Sequence, residues 1–223
     1  MFTGLIRNLG CITVCRELPN DLLQFTIKVA SPTPCFRGQV GTSIACNGIC
    51  LTAVTWDVTD RDVTFSVQVT PETCACTAIK SWHMGDVVNL ETSLKAGDPL
   101  DGHLVLGHCD GVAEITRVFP MSMECDASVV DASGHNESLC YWLRPPAVLM
   151  PFLAPKGSVA LDGVSLTINK VADMEFSVAF IPHTLRVTTW GGRRCGDRIN
   201  IEVDVLARYA VRALQATGLP ISS

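Results

Sequence analysis

Two short runs carry most of the side chains that could do chemistry. In Ser43-Ile44-Ala45-Cys46-Asn47-Gly48-Ile49-Cys50-Leu51-Thr52 a thiol and a hydroxyl stand two residues apart. In Ser158-Val159-Ala160-Leu161-Asp162-Gly163-Val164-Ser165-Leu166-Thr167 two hydroxyls, Ser165 and Thr167, keep the same interval. On a strand that interval puts both groups on one face. Such a pair can meet a ligand's polar edge or supply a nucleophile. Lys156 precedes the second run, and Asp204 follows an alternating stretch. His103 and His108 lie five residues apart; on a strand they would face opposite sides, a poor metal pair. No Gly-rich phosphate loop, His-Glu-x-x-His or Gly-x-Ser-x-Gly run occurs. Taken singly, each polar group reads as a surface or turn residue before it reads as a catalyst, and Asp204 as a helix N-cap.

The two runs are copies, shifted by 115 residues. Further blocks repeat at a shift of 111: Pro71-Glu72-Thr73 with Pro182-His183-Thr184, and Gly85-Asp86-Val87-Val88-Asn89-Leu90-Glu91 with Gly196-Asp197-Arg198-Ile199-Asn200-Ile201-Glu202. A weaker match, at a shift of 103, sets Gly4-Leu5-Ile6 against Gly107-His108-Cys109. Blocks in one order mean a duplicated domain. Two copies are too few for a solenoid, so each should close on itself. The expected units are residues 1–97, residues 98–204 and a tail of residues 205–223.

Short strands dominate each unit. Residues 24–29 and 63–69 alternate apolar and polar side chains, and turn residues such as Asn47-Gly48 and Asp162-Gly163 separate such runs. Asn-Gly suits a tight hairpin because both residues tolerate positive φ. One short helix is expected over residues 73–80, with a counterpart over 184–189. About six short strands closing on themselves make a small barrel, which removes open edges. The segment Ser133-Gly134-His135-Asn136-Glu137-Ser138, followed by Arg144-Pro145-Pro146, has no counterpart in the first half. After Asp204 the period changes: Leu206, Ala210, Ala213 and Leu214 fall on one helical stripe, ended by Gly218 and Pro220.

Hydrophobic residues make up 48% of the chain and charged residues 17%, which suits packed cores. A formal charge of −5 gives no electrostatic reason to expect nucleic acid. No basic region followed by an apolar stretch opens the chain, and no run is long enough for a bilayer, so a soluble, cytoplasmic protein is expected. The 11 cysteines include no Cys-x-x-Cys pair, and several (Cys11, Cys46, Cys140) replace small apolar residues in strand-like runs. They are read as reduced thiols acting as small buried hydrophobes, without metal or disulfide. These features alone stop at a duplicated β-barrel that binds a small ligand.

In order, Met1-Phe2-Thr3-Gly4, the run from Ser43 to Thr52, Pro71-Glu72-Thr73, Gly102-His103, Gly107-His108, Asp110-Gly111, Lys156-Gly157-Ser158, residues 162–167, Ile181-Pro182-His183-Thr184 and Asn200-Ile201-Glu202-Val203-Asp204 resemble the riboflavin synthase family over nearly the whole chain. The resemblance implies an all-β fold of two tandem six-stranded Greek-key barrels plus a C-terminal α-helix that holds a homotrimer. It implies a transferase that takes two molecules of 6,7-dimethyl-8-ribityllumazine, moves four carbons between them, and releases riboflavin and 5-amino-6-(ribitylamino)uracil. Neither cofactor nor metal is implied. Departures from the family pattern include Asp101, Leu106 and Cys74.

Carried over by position, the catalytic candidates are Cys50, His108, Lys156, Ser165, Thr167 and Asp204. One substrate pocket would use Phe2, Gly4, Leu5, Ile6, Ser43, Cys50, Leu51, Thr52, Gln68, Val69, Thr70, Pro71, Glu72 and Thr73. The other would use His103, Gly107, His108, Cys109, Lys156, Ser165, Leu166, Thr167, Ile181, Pro182, His183, Thr184, Leu185, Arg186 and Asp204. The competing reading is a non-catalytic lumazine- or flavin-binding relative on the same double barrel. Such a relative would be expected to lose Ser165, Thr167, His108, Lys156 and Asp204, which this chain keeps. A reductase flavin barrel needs a following nucleotide-binding domain, and a carbohydrate-binding β module would not explain polar groups matched in both halves.

Overall fold

The computed structural model describes residues 1–122 and 137–217. Most of the unmatched segment, residues 133–136, and the stop signal at Gly218 and Pro220 lie outside the described residues.

Among the described residues, twelve antiparallel strands form two closed barrels. The first contains β1 (Asn8–Leu18), β2 (Leu22–Ala30), β3 (Ser43–Cys46), β4 (Ile49–Val58), β5 (Asp62–Val69) and β6 (Val87–Thr92), paired in the cyclic order β1-β2-β5-β4-β3-β6. The second contains β7 (Gly111–Pro120), β8 (Leu139–Arg144), β9 (Ser158–Leu161), β10 (Val164–Ala172), β11 (Glu175–Phe180) and β12 (Arg198–Val203) in the equivalent order. Even the bulges are duplicated. Register shifts at Ile12/Val14 and Ala53/Thr55 recur at Ile115/Arg117 and Ile168/Lys170. A bulge bends its strand and raises the local twist, which lets so few strands close.

Alternation along the strands fills each barrel with its own core: Ile27, Phe65 and Leu90 in the first, Ile115, Phe176 and Ile199 in the second. Among the cysteines, Cys46, Cys74 and Cys140 are buried as expected, but Cys11 is exposed. The pleat explains the difference: Gly10 and Ile12 turn inward, so Cys11 must turn out.

The expected helices start earlier and stop sooner. α1 is Pro71–Cys76, capped by Thr70, and a separate 3-10 turn covers Ala78–Ser81. Between them the Thr77 hydroxyl donates to the Thr73 carbonyl at 2.6 Å and accepts from the Ile79 N–H, replacing the continuing ladder. The second copy behaves alike, with α2 at Pro182–Val187 and a 3-10 turn at Thr189–Gly192. α3 (Val205–Ala216) begins at Asp204, whose carboxylate accepts from the Leu206 N–H at 2.9 Å. No helix among the described residues is long and apolar enough to cross a membrane.

The barrels meet turn against turn. Asn47 and Gly48 have φ of 43° and 78°, and Asp162 and Gly163 have 44° and 80°, the left-handed pairs a tight hairpin needs. A Cβ on Gly48 would lie 2.7 Å from the Gly163 nitrogen, and one on Gly163 would lie 2.8 Å from the Gly48 nitrogen. The Asn89 amide donates to the Asp162 carbonyl at 3.0 Å, and Asn200 returns the bond to Asn47 at 2.9 Å. An approximate twofold axis therefore runs between the turns. We predict that Gly48→Ala lowers stability by about 2–3 kcal/mol, combining left-handed strain with backbone overlap. A denaturant midpoint unchanged from the parent would contradict this contact.

Candidate functional site

Each copied run folds into a patch with three polar side chains. β3 pairs with β4 so that Ser43 faces Thr52 and Ala45 faces Cys50; β9 pairs with β10 so that Ser158 faces Thr167 and Ala160 faces Ser165. Ser43, Cys50 and Thr52 thus share one outer face of the first barrel, and Ser158, Ser165 and Thr167 share the matching face of the second. Leu51, Val69 and Leu166, also expected at ligand, turn into the barrel cores and could offer a ligand only backbone groups.

The pocket grouping needs correction, because two arms cross over. The N-terminal arm leaves the first barrel and lies on the second: Ser165 donates its N–H to the Gly4 carbonyl at 2.8 Å, and Ile6 packs on the second core. The arm at residues 102–109 does the reverse: Cys50 donates its N–H to the Gly107 carbonyl at 2.8 Å, and Cys109 packs on the first core. Gly4, Leu5 and Ile6 therefore belong with Ser165, and Gly107 and His108 with Cys50. The glycines permit this approach. A Cβ on Gly4 would stand 2.6 Å from Ser165 Cβ, and one on Gly107 would stand 2.5 Å from Cys50 Cβ.

Where the arms cross they pair with one another. Phe2 and Val105 exchange backbone bonds of 2.7 and 3.1 Å, and both are buried with Ala45 and Ala160. Phe2, expected at the ligand, is 0% exposed and serves this seam instead. Cys109 is corrected likewise, since its thiol donates to the Gly48 carbonyl between the turns.

A buried glutamate clamps each arm. Glu91 accepts from the Thr3 N–H at 2.7 Å, the Thr3 hydroxyl at 2.7 Å and the Gly4 N–H at 2.9 Å. Glu202 accepts from the N–H groups of Leu106, Gly107 and His108 at 2.6, 2.9 and 3.1 Å. Burial raises both carboxyls above their ordinary range, and the N–H donors pull the other way. The sequence shows both glutamates in a repeated block, but only the fold reveals what they hold.

Around Ser165 the side chains converge. His103 Nδ1 lies 2.7 Å from Ser165 Oγ. Burial lowers the His103 pKa, and the charge of Asp204 opposes the shift. Asp204 is thus both the N-cap of α3 and an electrostatic partner of this histidine. Segment 103–108 is an extended arm with one bridge, at Val105, and not a strand. Around Cys50, burial raises the thiol and a hydrogen bond from Ser43 opposes it. His108 is exposed, and its backbone N–H is held by Glu202. Lys156 is exposed at φ 68°, its N–H donating to the Ile168 carbonyl at 2.7 Å. Gln68, Thr70, Pro71, Glu72 and Thr73 line the β5–α1 corner of the first barrel; Ile181, Pro182, His183, Thr184, Leu185 and Arg186 line the matching corner of the second. The site thus consists of two copied polar patches, each completed by the other half's arm.

A family model described as "Lumazine binding domain" matches the chain twice, over residues 3–93 and 106–204. A riboflavin synthase of Brucella abortus (strain 2308) is 43% identical over 216 residues, covering 96% of this chain and 98% of the relative. One of Photobacterium phosphoreum is 37% identical over 215 residues, covering 96% and 89%. Among solved structures, LumP complexed with riboflavin is similar in fold, with a TM-score of 0.71 at 20% identity, covering 91% of this chain and 99% of that one. With two lumazine-binding domains in tandem and this identity over nearly its whole length, the chain belongs to the riboflavin synthase family.

Proposed function

We propose that the chain is a riboflavin synthase: it binds two molecules of 6,7-dimethyl-8-ribityllumazine and transfers a four-carbon unit from one to the other. The observation that carries this reading is the duplicated polar patch, Ser43, Cys50 and Thr52 against Ser158, Ser165 and Thr167. Two identical substrates that must take opposite roles need two similar pockets. Alignment of two reactants can contribute up to roughly 7–11 kcal/mol in the best oriented cases. The substrate's C7 methyl is acidic because its carbanion delocalises into the pteridine ring, so the protein need supply only a placed base and polar anchors. A merely lumazine-binding relative would have little use for the His103–Ser165 pair. Mixing the protein with purified lumazine decides the matter: riboflavin absorbance should grow in, and binding without turnover would overturn the reading.

We assign the working unit to a homotrimer in which the first barrel of one subunit faces the second barrel of its neighbour. The support is α3, which meets the 3-10 turn at Ala147–Phe152 and buries Val211, yet leaves Leu206 67%, Tyr209 69% and Leu214 45% exposed. An apolar stripe of this kind calls for a partner. Deleting residues 206–223 should give smaller species with weak activity, and a truncated protein that remains trimeric by light scattering would sink the assignment. The exposed thiols Cys11, Cys15, Cys35, Cys76 and Cys195 fit a reducing compartment such as the cytoplasm. Units at residues 1–97, 98–204 and 205–223 remain our division of the chain, with the arms exchanged between the first two.

A further inference from the structure

Ser165 is approached by a second glycine, Gly102, as well as by Gly4. The Gly4 carbonyl accepts its N–H, and a Cβ on Gly102 would stand 3.1 Å from its Oγ and 2.0 Å from the Thr3 carbonyl oxygen. Into this enclosure His103 brings Nδ1, 2.7 Å from the hydroxyl. The ring is carried by the crossed arms, since the His103 N–H donates to the Thr3 carbonyl at 3.2 Å. At the matching place on the first barrel stands Cys50, where the Ser43 hydroxyl on the paired strand opposes the rise that burial gives the thiol. The duplication is therefore broken at the group nearest Ser165.

We propose that His103 is the positioning residue for Ser165: the neutral ring accepts the hydroxyl proton at Nδ1 and so turns the oxygen's lone pairs toward the substrate on the second barrel. This rests on the riboflavin synthase reading, with Ser165 at the ligand. A neutral imidazole has one proton, and with Nδ1 accepting, that proton sits on Nε2. The groups acting on the ring are Ser165 from β10 and Asp204 at the head of α3, while the Thr3 carbonyl of the N-terminal arm holds the His103 backbone. Burial keeps the ring neutral, against the pull of Asp204. Protonation would make Nδ1 a donor, reverse the hydroxyl and withdraw the lone pair.

The test compares lumazine turnover by the full chain with that of His103→Ala, His103→Asn, Ser165→Ala and the double variant His103→Ala/Ser165→Ala, with riboflavin binding followed by fluorescence. His103→Ala should lower kcat by about 10²-fold with KM within about threefold. His103→Asn keeps an acceptor that does not titrate; it should recover most of the turnover and lose the acid limb of the pH profile. On the Ser165→Ala background, removing His103 should cost nothing more. An equal further loss on that background, an unchanged acid limb in His103→Asn, or an unaffected kcat in His103→Ala would each overturn the proposal while leaving the enzyme reading standing. A parent protein with no turnover overturns both. Should His103→Ala fail to bind riboflavin, the His103→Asn profile decides alone.

Discussion

Ser165→Ala is expected to lower kcat by about 10²-fold while ligand affinity stays within about threefold, the pattern of an interaction made mainly in the transition state. Asp204→Asn removes the charge that pulls His103 toward protonation, so it should leave the His103–Ser165 contact in place and move the acid limb of the pH profile to lower pH. Cys50→Ala should cost less, about tenfold at most. The asymmetry follows from what stands opposite each group. Ser165 has an imidazole at 2.7 Å, whereas Cys50 has a serine hydroxyl and a thiol that burial keeps protonated. On this expectation the second barrel's patch would activate its substrate, and the first barrel's patch would mainly position the other. His108 lies on the Cys50 side, so its removal should resemble Cys50→Ala. Kinetics of variants that fold and bind riboflavin as the parent does check this. Equal losses for Cys50→Ala and Ser165→Ala would end the division of labour.

The largest stability effect is expected at the arm clamps. Glu202→Ala leaves the N–H groups of Leu106, Gly107 and His108 without their acceptor, in a place only partly open to water. Losing three charge-assisted bonds should cost about 3–5 kcal/mol, a fall in melting temperature of about 6–20 °C. Glu91→Ala should behave alike through Thr3 and Gly4. Both carboxyls have folded-state pKa values raised by burial. The folded state therefore holds its protons to higher pH than the unfolded chain does. The stability linked to this difference is present in full below the ordinary carboxylate range and is lost as pH rises through the raised values. Glu202→Gln should remove the Glu202 share of that slope. Calorimetry across the acid range measures both effects, and a Glu202→Ala protein as stable as the parent would show that the arm is held by something else.

Hairpin turns at Asn47-Gly48 and Asp162-Gly163 were readable because they depend only on local φ preferences. Strands β2 and β5 were readable because a half-buried strand must alternate. The helices were misplaced: Pro71 and Pro182 open them, and the Thr77 and Thr188 hydroxyls interrupt them by bonding back to the chain.

By itself, the sequence determined that the chain is a duplicated pair of small β-barrels with matched polar pairs, because periodicity, turn chemistry and internal repetition are properties of neighbouring residues. It also carried the full set of groups proposed for the reaction. Only the tertiary structure decided which of them stand together. The crossed arms put Gly4 on Ser165 and Gly107 on Cys50, sealed Phe2 in a seam, and brought His103 to a serine 62 residues away. The physical reason is that a buried carboxylate and a carbonyl can be satisfied by any donor within reach, whatever its place in the chain. Which donor arrives is settled when two barrels pack turn against turn, and no local pattern of residues records that choice.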